Sequence, residues 1–505
     1  MPARAVPSLL DRLQTGLVAP VERRETHGAW VLLDRERGLK IRKPVRFAFL
    51  DYSTLERRFA AAVEEVRVNQ ALAPGVYLGV RALLEHDGRL VVGGLGWHED
   101  AVEYAVEMRR FDDRRTLDVL CANGRLDAEG IDRVARALAA FHAGAERCDG
   151  GAEAFRARVR ADVREVEALA AGLPQVRTDG LSRFAEAAVA RRAAQIDARA
   201  ARGLWRDGHG DLRAEHVVFD ERRLLIVDRI EFDAGLRRAD VASDLAFLTM
   251  DLESLGHAWA ADRLVEAYVR AGGDAGDARL RALFAWQRAL VRVKVALLRD
   301  DEPSAVRLLD LADRLAWRER MPAVLLVVGP PASGKSTLAA ELARRSGLPV
   351  LGSDRIRKEL QGVRPTDRLG ADAYCDEVTR TVYRTLADRT AQAIADRGGA
   401  IVDATGRSRA LRELLVSRIR DHRPVVAVVC AAPGAVRRAR ARARLTDPRR
   451  VSDADAAVAE ALGAEFEPVD DEPGIGRVLH AHTDQPLAGV VDDLAEGLDT
   501  SPRTV

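Results

Sequence analysis

The chain has 505 residues, 47% of them apolar, and its 79 basic and 78 acidic side chains leave a formal net charge of +1. That balance offers no global field for nucleic acid or a membrane surface, and the length suggests about three compact units of roughly 150 residues each. Cys121, Cys148, Cys375 and Cys430 form no C-x-x-C pair, the start lacks a signal-type apolar core, and no apolar run approaches the ~20 residues that cross a bilayer. A cytoplasmic protein without a zinc site, a disulfide framework or a membrane partner is expected.

In chain order, a short helix (Ser8 to Gly16) and a connector lead to a hairpin over Ala29 to Val45, turning at 34–38. Ser53 to Leu72 reads as an amphipathic helix with Leu55, Phe59, Val63 and Val66 on one face and Ser53 as N-cap. A second hairpin, Val80 to Gly93, turns at Asp87-Gly88, and a strand follows from Val102 to Phe111. Helices then dominate from Leu126 to about Arg202 and from Ala239 to about Arg318, with a β interlude between His209 and Phe232. A linker is expected at about 300–320. From 322 the order is alternating strand and helix, at 324–328, 336–345, 349–352, 375–397, 400–403, 409–420, 424–430 and 433–444. Such alternation is the pattern of a doubly wound parallel sheet.

Lysine occurs only at 40, 43, 294, 335 and 358, so arginine supplies nearly all the positive charge. A retained lysine then marks a place where a compact ammonium is needed and a guanidinium would not fit.

Lys335 obeys that reading. Gly329-Pro330-Pro331-Ala332-Ser333-Gly334-Lys335-Ser336 fits G-x-x-x-x-G-K-[ST] and follows the apolar run Val324 to Val328. Backbone N–H groups of such a loop cradle phosphates, the lysine reaches the outer phosphates and the serine hydroxyl ligates Mg²⁺; Thr337 follows directly. This half is expected to bind ATP with Mg²⁺.

The second constellation is His209-Gly210-Asp211-Leu212, followed by a hairpin of Val217-Val218-Phe219 and Leu224-Leu225-Ile226-Val227. The hairpin returns the chain to the end it left, which brings Asp228 near the Asp211 loop. Two carboxylates on adjacent loops suit phosphoryl transfer: one accepts the hydroxyl proton and the other holds Mg²⁺.

These residues carry a resemblance. The first ~310 residues resemble the aminoglycoside phosphotransferase-like family, relatives of protein kinases: His209-Gly210-Asp211 resembles its catalytic loop, which makes Asp211 the base, and Asp228 resembles its metal-binding aspartate. Thr26-His27, Lys43-Pro44-Val45, Phe49-Leu50-Asp51, Tyr77-Leu78-Gly79-Val80, Ile230-Glu231-Phe232 and Asp244-Leu245-Ala246-Phe247 resemble one subfamily, in which this domain is fused to a P-loop kinase-like domain. The resemblance implies a two-lobed N-terminal kinase-like domain, 1–310, with a small lobe to about 110 and a large lobe from 111. A P-loop domain over 320–505 follows, giving an α/β chain. It also implies that Lys40 or Lys43 grips the α/β-phosphates. They lie three positions apart, on opposite faces of the strand; Lys40 is favoured, without a decisive argument. Its carboxylate partner should be Glu65, which flanks the apolar face of its helix, and Met108 to Phe111 should form the hinge beside adenine. His27 lies where a phosphate-facing turn should be.

One position departs from that family. Five residues after Asp211 the family has a metal-holding asparagine; here it is His216. Imidazole is a poor ligand for Mg²⁺. Glu215 or Glu231 supplies the oxygen instead, or the site takes one metal, or its turnover is impaired.

In the C-terminal half, Ser353-Asp354-x-x-Arg357-Lys358 follows the second strand and Asp403-Ala404-Thr405 ends the third. Ligands gather at the carboxyl ends of such strands, so Asp354 is placed as base, Arg357 to hold the acceptor or a phosphate, and Asp403 as a carboxylate for Mg²⁺. Arg437, Arg438, Arg440, Arg442 and Arg444 read as a lid, with Arg440 and Arg444 closing on phosphates, or as a solvated face. The domain resembles small P-loop kinases of the gluconate kinase, zeta toxin and polynucleotide kinase group, through these motifs and Ser452-Asp453-Ala454. The expected function is a bifunctional ATP-dependent phosphotransferase acting on a small-molecule hydroxyl, with no nucleic-acid partner. The alternative is an ATP-binding sensor whose N-terminal half is degenerate.

Overall fold

The computed structural model describes residues 22–26, 28–47, 50–87, 89–220, 223–419, 425–444, 451–453, 464–470 and 472–500. The expected helix at Ser8 to Gly16, the contact at His27, turn residues Gly88, Glu221 and Arg222, and Ala454 lie outside the described residues, as does the side chain of Arg444. No described helix is long and apolar enough to cross a membrane. The chain divides into two compact units. One comprises residues 1–165, 192–277 and 287–308; the other comprises 166–191, 278–286 and 309–505.

The first unit begins with strands β1 (Glu22–Glu25), β2 (Ala29–Leu33) and β3 (Arg37–Arg42), then a two-strand ribbon of β4 (Arg46–Phe47) and β5 (Leu50–Asp51). After helix Leu55–Asn69 come β6 (Tyr77–His86), β7 (Arg89–Leu95) and β8 (Ala101–Arg109). They form an antiparallel sheet in the order β1-β2-β3-β8-β6-β7. Lys40 lies opposite Val31 and Val106 in the middle of β3, in the heart of this sheet. The helix is capped by Thr54, whose hydroxyl accepts from Arg57 N at 3.3 Å, not by Ser53 as the sequence suggests. Ser53 is drawn away because its hydroxyl donates to Asp51 Oδ1 at 2.6 Å.

Beyond β8 the unit is mainly helical. Leu138 and Val134 of helix Ala128–Gly144 share one core with Leu245 and Leu248 of helix Val241–Ser254 and Leu264 of helix Ala258–Arg270. The interlude is richer than expected. The hairpin of β10 (Val217–Phe219) and β11 (Leu224–Ile226) is joined by a second pair, β9 (Trp205–Asp207) with β12 (Arg238–Asp240). The segment expected to be a linker is a helix, Glu302–Arg320, with Ala305, Leu308, Leu311, Leu315 and Trp317 buried. Its apolar side chains recur at helical spacing, in keeping with the helical pattern that the sequence carries to about Arg318, and the helix buries that stripe.

The second unit is built on five parallel strands: β13 (Val324–Val328), β14 (Val350–Gly352), β15 (Ala400–Asp403), β16 (Val425–Ala431) and β17 (Ile475–His482), ordered β14-β15-β13-β16-β17. Every residue of β13 is buried: Val324, Leu326 and Val328 pack into one core and Leu325 and Val327 into another. A strand covered on both faces needs an unbroken apolar run. Because all strands run the same way, the carboxyl ends of β13, β14 and β15 gather the loops that follow them on one rim.

Candidate active sites

In the first unit the site assembles on Lys40. Its ammonium donates to Glu65 Oε1 at 2.8 Å and to Asp228 Oδ1 at 3.0 Å, joining the sheet, the helix and the Asp228 loop. Lys43 faces away and donates to Glu25 Oε1 and Thr26 O, each at 2.6 Å. Arg42 is two residues from Lys40 and so shares its face; it donates to Glu65 Oε2 at 2.6 Å and Glu231 Oε1 at 3.0 Å. Tyr52 also donates to Glu231, at 3.1 Å. The Lys40 charge holds the Asp228 carboxyl well below the usual range, against its own burial. Burial lowers Lys40, but Asp228 and Glu65 more than reverse this and keep it firmly protonated. Asp228 has φ 61°, a left-handed conformation uncommon outside glycine, and its N–H donates to Tyr77 OH at 3.0 Å.

The Asp211 loop is pinned from behind by Asp244. That carboxylate accepts from His209 N at 2.5 Å and Gly210 N at 3.0 Å, while His142 Nε2 lies 3.5 Å away. Burial pushes Asp244 up, yet His142 and Arg288 outweigh it and hold the group ionised. A Cβ on Gly208 would stand 2.2 Å from Asp244 Oδ2, so only glycine lets the carboxylate reach the backbone. His209 is fully buried and donates through Nε2 to Val227 O at 3.0 Å; burial and the neighbouring His216 depress it to about 4. Asp211 accepts from Arg213 Nε at 3.1 Å. Burial raises Asp211, but Arg213 and His216 bring it below its ordinary value. Met108, one residue from the end of β8, lies opposite Gly38 and Tyr77; Arg109 N donates to Val76 O at 2.8 Å and Arg110 N to Glu36 O at 2.7 Å.

In the second unit a cavity of about 660 Å³ opens at the rim. Pro331, Ala332, Lys335 and Ser336 of the glycine loop line it together with Asp354, Arg357 and Asp403. A Cβ on Gly329, at φ 143°, would meet Cys430 O at 2.5 Å, so the loop's close approach to β16 requires glycine. Lys335 starts helix Lys335–Ser346 and donates to Pro330 O at 2.9 Å. Ser333 Oγ is buried without a hydrogen-bond partner in the protein, a donor held ready beside the loop's backbone. Thr337 is exposed and does not line the cavity.

Asp354 is pushed above the usual carboxylate range by burial and by Asp403, with Lys335, Ser452 and Arg357 opposing. Arg357 lies beneath the Tyr374 ring at 4.7 Å and donates to Ala373 O at 2.6 Å, leaving its buried Nε without a partner. Lys358 donates to Asp453 Oδ1 at 3.1 Å and Tyr374 OH to Asp453 Oδ2 at 2.7 Å, so one carboxylate ties three segments across the cavity. Arg440, on helix Gly434–Arg444, donates to Thr483 O at 2.5 Å, and Thr483 Oγ1 donates to Ser333 O at 2.5 Å. Arg440 therefore reaches the glycine loop through Thr483.

Sequence reasoning overlooked Arg42, Tyr374 and Thr483, and named Tyr77 and Asp244 only as part of a resemblance. Arg42 was within reach of strand periodicity. The others meet their partners across long sequence separations and leave no local pattern.

The fold and these residues define the class: a two-lobed kinase-like domain joined to a P-loop kinase-like domain. Residues 324–469 match the family model described as AAA domain. Among solved structures, the chain is similar to a choline/ethanolamine kinase family protein from Mesorhizobium loti, at 14% identity, 61% of this chain, 93% of that one and a TM-score of 0.37. It is similar to an aminoglycoside phosphotransferase, APH(2″)-IIIa with GDP and kanamycin, at 13% identity, 62% of this chain, 98% of that one and a TM-score of 0.36. A sugar kinase from Janibacter shares 21% identity over 36% of this chain and 100% of its own, with a TM-score of 0.25. Two proteins, Rv2004c of Mycobacterium tuberculosis and Mb2027c of Mycobacterium bovis, are each 33% identical over 356 residues, 68% of this chain and 68% of theirs. The chain belongs to the family of these mycobacterial proteins.

Proposed function

We propose that the chain is a bifunctional ATP-dependent phosphotransferase, with one centre in residues 1–310 and another in 320–505, each acting on a hydroxyl of a small molecule. The observation that carries the reading is the cavity in which Lys335, Ser336, Asp354 and Asp403 meet. The acceptor oxygen forms a bond to the γ-phosphorus as the bond from that phosphorus to the β–γ bridging oxygen breaks. ADP leaves, and the hydroxyl proton passes to Asp354. Burial beside Asp403 suits Asp354 to take that proton, because a carboxyl pushed upward is a stronger base. Lys335 offsets phosphate charge, and the N–H groups of the glycine loop donate to phosphate oxygens. Ser336 and Asp403 present only oxygen donors, which fits Mg²⁺; the bound ion would neutralise phosphate charge. In the N-terminal centre Asp211 takes the proton, Lys40 holds phosphate oxygens and Asp228 faces the metal.

The test is ATP consumption across sugars, aminoglycosides and nucleosides by wild type, Asp211→Ala and Lys335→Ala. Each variant should lose one set of acceptors. If Asp211→Ala leaves all phosphorylation intact, the reading of two active centres fails. The second reading, an ATP-binding sensor in the N-terminal half, draws support from Arg213, which engages Asp211, the group that would have to act as base.

A further inference from the structure

The two metal positions differ in donor chemistry, and that difference reaches beyond the reading above, on which it rests. Ser336 and Asp403 offer oxygen. At the N-terminal centre the side chain expected to stand beside Asp228 is an imidazole.

The ring of His216 is nearly buried, with side-chain exposure of 8%. It packs over His209, with centroids 5.9 Å apart and planes inclined by 21°. Its Nδ1 lies 2.8 Å from Asp211 O. A carbonyl oxygen can only accept, so Nδ1 carries a proton and Nε2 is the ring nitrogen that can offer a lone pair. Arg213 lies 3.2 Å from Nε2, and its guanidinium can only donate, which agrees with that tautomer. Nε2 faces Asp228 Oδ2 at 3.6 Å and Glu215 Oε1 at 3.8 Å. A hydrogen bond that fixes one ring nitrogen and aims the other is how proteins orient a metal-binding histidine.

The oxygen substitutes suggested by the sequence are engaged elsewhere. Glu231 accepts from Arg42 and Tyr52, and Glu215 is paired with Arg213. The pair left facing each other is one nitrogen and one oxygen. Magnesium demands oxygen ligands in near-octahedral geometry. Imidazole suits borderline transition metals, while carboxylate and phosphate oxygens suit Mg²⁺ and Mn²⁺ alike. Manganese shares with magnesium the fit to carboxylate and phosphate oxygen, and as a member of the first-row series that nitrogen and oxygen sites bind it also accepts the imidazole. Arg213 would give up Nε2 and keep Asp211 and Glu215.

We propose that the N-terminal centre binds its divalent cation through His216 Nε2 together with Asp228 Oδ2, and that it therefore selects manganese over magnesium. The P-loop centre keeps the ordinary preference for oxygen and magnesium.

The test uses the full chain carrying Lys335→Ala, Mn²⁺ and a non-hydrolysable ATP analogue, read by pulsed electron paramagnetic resonance. Imidazole ¹⁴N coupling to the bound ion is expected. No histidine lines the P-loop cavity, so Mn²⁺ remaining there cannot supply that signal. In His216→Asn the coupling should vanish, and the ratio of Mg²⁺ to Mn²⁺ dissociation constants should fall by about tenfold. Bound Mn²⁺ without nitrogen coupling in the parent chain overturns the assignment, and so does coupling that survives in His216→Asn. Should that variant not fold, His216→Gln replaces it, and the parent spectrum decides by itself. If the analogue fails to bind the Lys335→Ala chain with either metal, the N-terminal centre is not a nucleotide site and the two-centre reading falls with this one. If it binds equally well with Mg²⁺ and shows no coupling, only the metal assignment is lost.

Discussion

The two centres solve the problem of buried carboxylates in opposite ways. In the N-terminal one each acid is already matched to a cation. Glu65 takes both Lys40 and Arg42, Asp228 takes Lys40, and Asp211 takes Arg213. Burial alone would push Asp228 and Asp211 upward, yet both sit low because those charges prevail. In the P-loop cavity Asp354 is raised, since burial and Asp403 outweigh Lys335 and Arg357. The first centre is held in shape by its own ion pairs. The second keeps an acid under electrostatic tension that an incoming cation would relieve. Similar chemistry thus asks different things of its ligands: displacement of internal pairs in one case, neutralisation in the other.

Four experiments would break or sharpen that contrast. The largest effect is expected for Asp354→Asn, which removes the base while keeping the shape. Turnover by the P-loop half should fall by about 10²–10⁴-fold, with the acceptors of the N-terminal half unaffected, as kinetics on separate acceptors would show. Next is Glu65→Gln. It leaves Lys40 and the nearly fully buried Arg42 without their shared anion, a loss on the order of 3–5 kcal/mol. Denaturant unfolding should show it in the first unit's transition; an unchanged midpoint would mean the ion pairs do not hold that centre together.

The pH profile gives a smaller but more diagnostic effect. A base acts only when deprotonated, so rate is lost as pH falls through its pKa. Asp354 lies above and Asp211 below the ordinary value of about 3.9. The acid limb of the P-loop reaction should therefore lie at higher pH than that of the N-terminal reaction, and coincident limbs would refute the contrast. Smallest is Lys43→Ala. Its pairing with the exposed Glu25 is screened by solvent and contributes little, and neither activity should change. A large loss there would reassign the phosphate-gripping role from Lys40.

Much of this arrangement was legible in the sequence, where local periodicity carried it. The glycine loop announced itself because its strand, loop and helix are contiguous. Glu65 could be chosen over Glu64 because helical spacing places it beside the apolar face. Lys40 could not be separated from Lys43 by the same reasoning, since alternation shows that they face opposite ways but not which way is inward. Tertiary structure decides that, through Asp228, 188 residues further on. The clamp of Asp244 on the Asp211 loop was hidden for the same reason. β17 was missed because Arg477, His480 and His482 interrupt its apolar pattern at the edge of the sheet.

The scarcity of lysine has a practical consequence. Each of the five side-chain amines already donates a hydrogen bond: Lys40 to Glu65, Lys43 to Glu25, Lys294 to Asp162, Lys335 to Pro330 and Lys358 to Asp453. The chain is close to a blank background for acylating reagents, with one reporter inside each proposed nucleotide site. Peptide mapping after brief acylation, with and without ATP, would read the occupancy of both sites in one experiment. Protection should appear at Lys40 and Lys335, while Lys43 and Lys294 serve as internal standards.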